Sequence, residues 1–292
     1  MEEVAMEITA SIVTYFSGPI IDNCLEHLTR STRRTLEIVV FDNASADNTH
    51  QQLAHWSDQI RSIESSENVG FGTGHNRALK EASGRYFLIL NPDIELPPGA
   101  LDALADHLDQ HPECGSVSPL LSEDNRAFQG FSFSYPGHRY TGKTFKKLPG
   151  QIASLKGACM LVRAEVFRAI GGFDSRYFLY AEDLDLSLEI RKHGYELHCI
   201  DDVRVRHIGG YSERSHQLSQ VAAKKHLGLL LFYRKHYPWP SRIFLNGRDF
   251  AKSALRLLML CVAHQPKALA RREEHRGRLL ALRTYLSGQT RL

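Results

Sequence analysis

The sequence lacks any CxxC pair. Its five cysteines, Cys24, Cys114, Cys159, Cys199 and Cys261, are scattered and odd in number. That argues against a disulfide framework and a structural zinc site, and fits a reducing compartment. A long apolar run is missing too. Spanning a bilayer takes ~20 apolar residues, whereas the most apolar helical stretch, Leu255 to Ala263, is short and carries Arg256. The N-terminal MEEVAMEITA has no basic region followed by an apolar core, so no signal peptide is expected. Net charge is small as well: +3 over 292 residues does not suit nucleic-acid binding by the whole chain. What remains is 42% hydrophobic and 24% charged, an ordinary globular composition with enough length for a substantial core. The expectation is a cytoplasmic, non-spanning protein of one or two domains without nucleic-acid partners. Most of the basic surplus lies late, as in Ala270 to Arg278 (ARREEHRGR).

Up to about Val117, strand-like and helix-like segments alternate. Ile8 to Tyr15, Leu36 to Phe41 and Tyr86 to Leu90 are rich in β-branched, aromatic and aliphatic residues and read as strands, with a weaker one near Ile63. Helical readings fall on Asp22 to Arg30, Asn48 to Ile60, His75 to Ala82 and a segment starting near Pro98. Such alternation predicts βαβ units and a mostly parallel sheet covered by helices. Gln129 to Gly150 reads as a long surface loop, and from about Leu218 the pattern is helical and basic.

In open α/β sheets ligands bind beyond the carboxyl ends of the strands. LEIVVF ends on Asp42, and YFLIL runs into Asn91-Pro92-Asp93. Turn and cap preferences account for any one such acid. Asp42, Asp47 and Asp93 at one predicted edge favour a polar site, with Asp47 the weakest member because it also suits a helix cap. The stretch Glu67 to Asn76 (ENVGFGTGHN) has G-x-G-x-G spacing after two βα units, which does not match a dinucleotide fingerprint. It reads as a Gly-rich turn, or as backbone that approaches a ligand closely.

A second concentration is Gly171 to Leu186, where Glu182, Asp183 and Asp185 open a segment ending Arg191-Lys-His-Gly194. Acids in front and bases behind complement a helix dipole, although Leu184, Leu186, Leu188 and Ile190 alternate as in a strand. Helix-end electrostatics could account for all three acids; their density favours a site. Val205 to Ser212 (VRHIGGYS) adds His207 on a turn after a strand, open to a metal, a phosphate or a structural role.

Taken in order, IVTY, VFDNASAD, NVGFGTGHNRAL, LILNPD, KGACMLVR, GGFDSRYFLYAEDLDL and RHIGG resemble the inverting nucleotide-sugar glycosyltransferases of family 2, over about Ile8 to Ser212. Within that family the chain is most similar to bacterial rhamnosyltransferases that build cell-surface polysaccharide. The resemblance implies a GT-A fold: Rossmann-like α/β, with a mostly parallel mixed sheet flanked by helices and a C-terminal helical extension. It implies a catalytic domain over 1–217, with a nucleotide-sugar half to about 117 and an acceptor half over 118–217, and a basic amphipathic extension over 218–292. On the donor side it implies Asp42 at the nucleobase, Thr14 and Tyr15 lining base and ribose, and Asn76 and Arg77 near the diphosphate or ribose. The family's D-x-D motif falls on Asn91-Pro92-Asp93, which departs from the pattern at Asn91. Asp93 is then the anionic metal ligand, His207 a second ligand, and Mg²⁺ or Mn²⁺ the expected ion. Asp183 is implied as general base, with Glu182 beside it, and a carboxylate at a helix N-terminus is expected to stay ionised. Lys156, Gly157, Ala158 and Tyr180 fall on the acceptor side, with Tyr135 to Lys147 as a candidate acceptor lid.

The implied donor is dTDP-L-rhamnose, with UDP- or GDP-sugars as competitors, and the implied acceptor is a glycan or lipid-linked saccharide. Basic amphipathic helices with Trp and Tyr in the tail fit either an anionic membrane surface or packing against protein. A non-catalytic nucleotide-sugar-binding scaffold is the alternative; it would keep Asp42 but need neither Asp93 nor Asp183.

Overall fold

The computed structural model describes residues 6–80, 82–123, 126–128, 130–141, 145, 147–208, 217–260 and 266–291. The chain divides into two compact units. The larger comprises Met1–Ser134, Leu148–Asp174 and Asp183–Ser212; the smaller comprises Tyr135–Lys147, Ser175–Glu182 and Glu213–Leu292.

The larger unit runs β1 (Ile8–Thr14), α1 (Gly18–Thr29), β2 (Leu36–Asp42), α2 (Thr49–Ala54), β3 (Arg61–Glu64), α3 (Phe71–Lys80), β4 (Tyr86–Leu90), β5 (Ile94–Glu95) and α4 (Ala100–Gln110). It continues through β6 (Cys114–Glu123), β7 (Arg126–Phe128), β8 (Phe131–Ser132), β9 (Ser154–Leu155), β10 (Cys159–Arg163), α5 (Ala164–Ile170), α6 (Glu182–Lys192) and β11 (Glu196–His207). The main sheet is ordered β3-β2-β1-β4-β10-β6-β11-β5, with β7 on β6. Strands β1 to β4 pair in parallel, β10 inserts antiparallel between β4 and β6, and β6 pairs in parallel with β11.

Both faces of the sheet are covered, so its central strands are buried along their whole length, as a parallel sheet requires. Alternate residues feed two cores. Ile12, Val40, Leu88 and Leu161 join α1 and α4 residues on one face; Phe87, Ile89, Met160 and Val162 join α5 and α6 residues on the other. This is the expected α/β class. Segment 182–192, ambiguous by periodicity, is helical, and Gly194 at φ 91° lies just beyond its end.

Three expectations are corrected. The Gly-rich stretch is not a turn: α3 begins at Phe71 and contains Gly72 and Gly74. A Cβ on Gly74 would lie 2.9 Å from Val13 and 3.0 Å from Phe41, and one on Gly72 would lie 2.7 Å from Phe173. Glycine here lets a helix seat closely on strands, which outweighs its poor helix propensity. Helix α2 is shorter than expected, stopping at Ala54 before a run of turns in which Trp56 Nε1 donates to Asp22. The loop over 129–150 includes the short strand β8 and a 3₁₀ turn, His138–Tyr140. Residues 129, 142–144 and 146 of that loop lie outside the described residues.

The smaller unit contains α7 (Leu218–His236), α8 (Trp239–Met259) and α9 (Pro266–Leu286). Tyr135 packs on Phe232 of α7, the Tyr237 hydroxyl donates to the Pro136 carbonyl, and Ser241 donates to the Tyr140 carbonyl at 3.0 Å. The candidate lid is therefore anchored on the helical extension. No described helix is long and apolar enough to cross a membrane. Among the described residues, Cys24, Cys114, Cys159 and Cys199 are free thiols.

Candidate active site

The sheet order places the change of winding direction between β1 and β4: the chain steps outward from β1 to β2 and β3, then returns to β4 on the other side. A crevice opens at the carboxyl ends of such a pair. Thr14 ends β1, Asp42 ends β2, and Asp93 follows β4 by three residues, so the expected acids do share one edge.

Asp42 is fully buried, and its oxygens are well supplied with partners. Thr14 Oγ1 and Ser45 Oγ donate to Oδ1 at 2.7 and 2.6 Å, and the Ser45 amide donates to Oδ2 at 2.9 Å. His50 Nε2 lies 3.2 Å from Oδ2, and its Nδ1 lies 3.1 Å from Glu64 Oε1. Thr14 is thus a partner of Asp42, and Ser45 and His50 are members of this cluster that sequence reading missed. Asp47 has a different job. It accepts from the Gly18 amide at 3.1 Å and from the Thr49 amide at 3.2 Å, tying together the starts of α1 and α2. Tyr15 is half-buried, edge-on to Phe16 at 4.7 Å.

Asp93 is 7% exposed. Its backbone is held by the Ile208 amide, which donates to the Asp93 carbonyl at 2.9 Å, and β5 pairs Ile94 with His207. That pairing brings His207 Nε2 to 3.3 Å from Asp93 Oδ1. Oδ1 is buried and accepts no hydrogen bond among the described residues. A buried carboxylate oxygen without a hydrogen-bonded proton, beside an imidazole nitrogen, fits a divalent cation. The Gly209 to Ser212 part of the His207 motif lies outside the described residues.

Asp183 sits in the first turn of α6. The Gly157 amide donates to its Oδ2 at 3.1 Å and the Leu184 amide to its Oδ1 at 2.8 Å. Burial raises its pKa above the ordinary carboxylate range; these two amides and the charge of Lys156 pull the other way and lose. Desolvation thus opposes the helix end that was expected to favour the ionised form. The segment 156–158 links Asp183 to the loop that carries Asp93. Gly157 holds Asp183, while the next carbonyl, of Ala158, accepts from the Asn91 amide at 2.9 Å. A Cβ on Gly157 would lie 3.2 Å from Asp183 Cβ, so glycine keeps the carboxylate in place. Lys156 is exposed and Glu182 buried. Tyr180 and Ala181, immediately before α6, have φ of 73° and 66°. With Phe16 and Ala44 after β1 and β2, they are the non-glycine residues of positive φ among the described residues, and all four flank candidate positions in the chain.

Asn76 is committed elsewhere. Its Nδ2 donates to the Phe173 carbonyl at 2.7 Å, and its Oδ1 accepts from the Phe173 amide at 2.8 Å. Its place in the structure is as a brace for the GGF turn. Arg77 is exposed, its guanidinium 5.5 Å from the Phe41 ring centre. Sequence reading also missed His75, which is fully buried, with Nδ1 2.7 Å from Ser11 Oγ and a pKa pushed down to about 3 by desolvation.

A family model described as "Glycosyl transferase family 2" matches residues 9–171. The chain is 28% identical to the N-acetylglucosaminyl-diphospho-decaprenol L-rhamnosyltransferase of Mycobacterium tuberculosis, over 83% of this chain and 90% of that one. It is 26% identical to the rhamnosyltransferase WbbL of Escherichia coli, over 70% of this chain and 84% of the relative. Among solved structures, the fold is similar to the mannosyltransferase PcManGT of Pyrobaculum calidifontis in complex with GDP-Man and Mn²⁺. The TM-score is 0.62 and identity 18%, covering 96% of this chain and 87% of that chain. It is also similar to S. aureus TarS 1-349 in complex with UDP-GlcNAc, with TM-score 0.57 and identity 17%, covering 97% and 93%.

Proposed function

The chain belongs to glycosyl transferase family 2 and is a glycosyltransferase; from that premise we propose an inverting transfer of L-rhamnose from dTDP-L-rhamnose to a hydroxyl of a lipid-linked saccharide. The observation that carries the mechanism is the Gly157-Ala158 tie, which joins the loop bearing Asp93 to the carboxylate of Asp183. Two carboxylates with separate tasks are thereby held to one strand edge. The rhamnosyl assignment is supported by the names of the relatives, and the lipid-linked acceptor by the decaprenol-linked substrate in one of those names.

Asp183 is the general base. As the acceptor hydroxyl attacks the anomeric carbon, its proton passes to Asp183, the bond from that carbon to the diphosphate oxygen breaks, and the nucleoside diphosphate leaves with the electron pair. A carboxylate whose pKa is raised holds that proton better than an ordinary one, which favours the transfer. Gly157 and Leu184 amides aim it. Asp42, supported by Thr14, Ser45 and His50, faces the nucleobase end. Asp93 and His207 would hold Mg²⁺ or Mn²⁺, which when bound offsets charge on the diphosphate. Asn76 positions the GGF turn and does not touch the donor.

Helix α8 extends the reading to a surface. Trp239, Ile243, Phe244, Leu258 and Met259 are exposed along it, with Lys252 and Arg256 exposed among them. An apolar helix face with basic flanks suits the interface of an anionic bilayer, placing the enzyme peripherally on the cytoplasmic face, where a lipid-linked acceptor would lie.

Calorimetric titration with dTDP, UDP and GDP, with and without Mn²⁺, tests the donor assignment. The expected result is Mn²⁺-dependent preference for dTDP, lost in Asp93→Ala. Preference for UDP or GDP overturns the rhamnosyl donor, and absence of binding to all three overturns the nucleotide site built on Asp42.

A further inference from the structure

The opposite edge of the same sheet carries a second constellation. Strands β6 and β11 are parallel, and their first residues, Cys114 and Glu196, are paired. This edge lies at the amino ends of these strands, whereas His207 is the last residue of β11. Here the final turn of α4 presents His107, the residue after α4 is His111, β6 starts at Cys114, and β11 contributes His198. His107 Nε2 and His198 Nδ1 are 2.8 Å apart, and the donor atoms of His107, His198 and Cys114 all lie within 4.8 Å of one another. The His111 ring centre lies 4.3 Å from that of His107, with the planes tilted by 33°, and 5.5 Å from that of His198.

We infer that His107, His198 and Cys114 form a structural site for Zn²⁺ or a similar borderline transition metal, separate from the donor site. Three features favour a built site over an accidental pair of hydrogen-bonded imidazoles. First, the donor set is two nitrogens and a sulfur, which suits Zn²⁺ and is poor for Mg²⁺. Second, the outward nitrogen of His198, Nε2, lies 3.3 Å from Glu196 Oε2. A carboxylate on the far nitrogen fixes the tautomer and turns the other lone pair inward, the arrangement that supports metal-bound histidines. Third, the backbone carrying the ligands is clamped. Arg163 Nε donates to the Cys114 carbonyl at 2.8 Å, and its NH2 donates to the carbonyls of Leu108 and His111. Tetrahedral Zn²⁺ with bonds of ~2.0–2.3 Å needs donor separations of roughly 3.3–3.8 Å. The present spacings, 2.8 Å between the imidazole nitrogens and within 4.8 Å for the set, bracket that range, and binding would replace the hydrogen bond that the Cys114 thiol donates to the Ser116 carbonyl. Bound metal would pin the end of α4 to β11. This inference does not depend on the donor assignment.

The full chain, stripped with a chelator and kept in excess Mg²⁺, is titrated with Co²⁺ and then Zn²⁺. One equivalent of Co²⁺ is expected, with a thiolate-to-cobalt charge-transfer band that Zn²⁺ abolishes, and a rise in melting temperature on Zn²⁺ addition. Cys114→Ser should remove the band, His107→Gln should weaken binding by more than about tenfold, and Glu196→Gln by about tenfold. Asp93→Ala should leave the band intact. No stoichiometric band, a band surviving Cys114→Ser, or a band lost in Asp93→Ala would each overturn the site. If Cys114→Ser fails to fold, undiminished Co²⁺ affinity in His107→Gln does so on its own.

Discussion

The α/β unit and the helical unit use apolar side chains in opposite ways. Every residue of β1, β4 and β10 is buried, and their side chains interlock with helices on two faces. Helix α8, three times the length of β1 at 21 residues against 7, buries only Leu245 and Ser253 and leaves Trp239 66% and Leu258 71% exposed. Burial in the sheet accounts for itself, since each apolar Å² removed from water stabilises folding by about 25 cal/mol. Exposure on α8 gains nothing for the fold, and exposed apolar side chains of this size are what the proposed surface contact rests on. One unit holds a geometry; the other leaves apolar side chains exposed, which is what the proposed surface contact would use.

The largest effect should come from a residue whose geometry the first unit exists to hold. Asp183→Asn keeps the shape of the side chain and removes the proposed base. Transfer should fall by about 10²–10⁴-fold, while dTDP affinity changes by less than about threefold. Turnover near the parent value would show that the proton goes elsewhere, and would detach catalysis from the Gly157-Ala158 tie.

Identical substitutions in the two units test the comparison directly. Leu88→Ala, at a fully buried position on β4, should cost about 2–5 kcal/mol in chemical denaturation. Leu258→Ala on α8 should stay within about 0.5 kcal/mol. The combined change of Trp239, Phe244 and Leu258 to Ser should leave the melting temperature nearly unchanged but abolish sedimentation with vesicles containing anionic lipid. If Leu258→Ala destabilises as much as Leu88→Ala, the face is packed against protein and the contrast between the units fails.

The same contrast explains how much the sequence disclosed. Strands buried on both faces read as continuous apolar runs, so β1, β2 and β4 and the acids at their ends were legible. Helix α3 was not legible at its start. Gly72 and Gly74 weaken a helix in isolation, and only the sheet pressing on them shows why they are there. Asn76 looked available for a ligand because nothing local reveals that Phe173, a hundred residues on, takes both ends of its amide. Asp183 had the sequence signature of a dipole-stabilised acid, but its pKa is decided by burial, which is a tertiary quantity. The N/S cluster was only half legible, because its residues come from separate parts of the chain. The local half, His107-x₃-His111-x₂-Cys114, was visible, but His198 arrives only through the β6–β11 pairing.

The smallest predicted effect probes the balance that sets Asp183. Against burial, its pKa is lowered by the Gly157 and Leu184 amides, by the positive charge of Lys156 and by its own amide. Lys156 is exposed, so its contribution is screened by water and salt. Lys156→Met should therefore raise the Asp183 pKa further, by a small amount that shows at low salt. The base works only when deprotonated, so the acid limb of the kcat/KM profile should move to higher pH in the variant, with the plateau above it nearly unchanged. Because the effect is screened, ~0.5 M salt should shift the parent profile toward that of the variant and leave the variant's own profile in place. A shift to lower pH, or none at low salt, would mean that the acid limb reports a group other than Asp183.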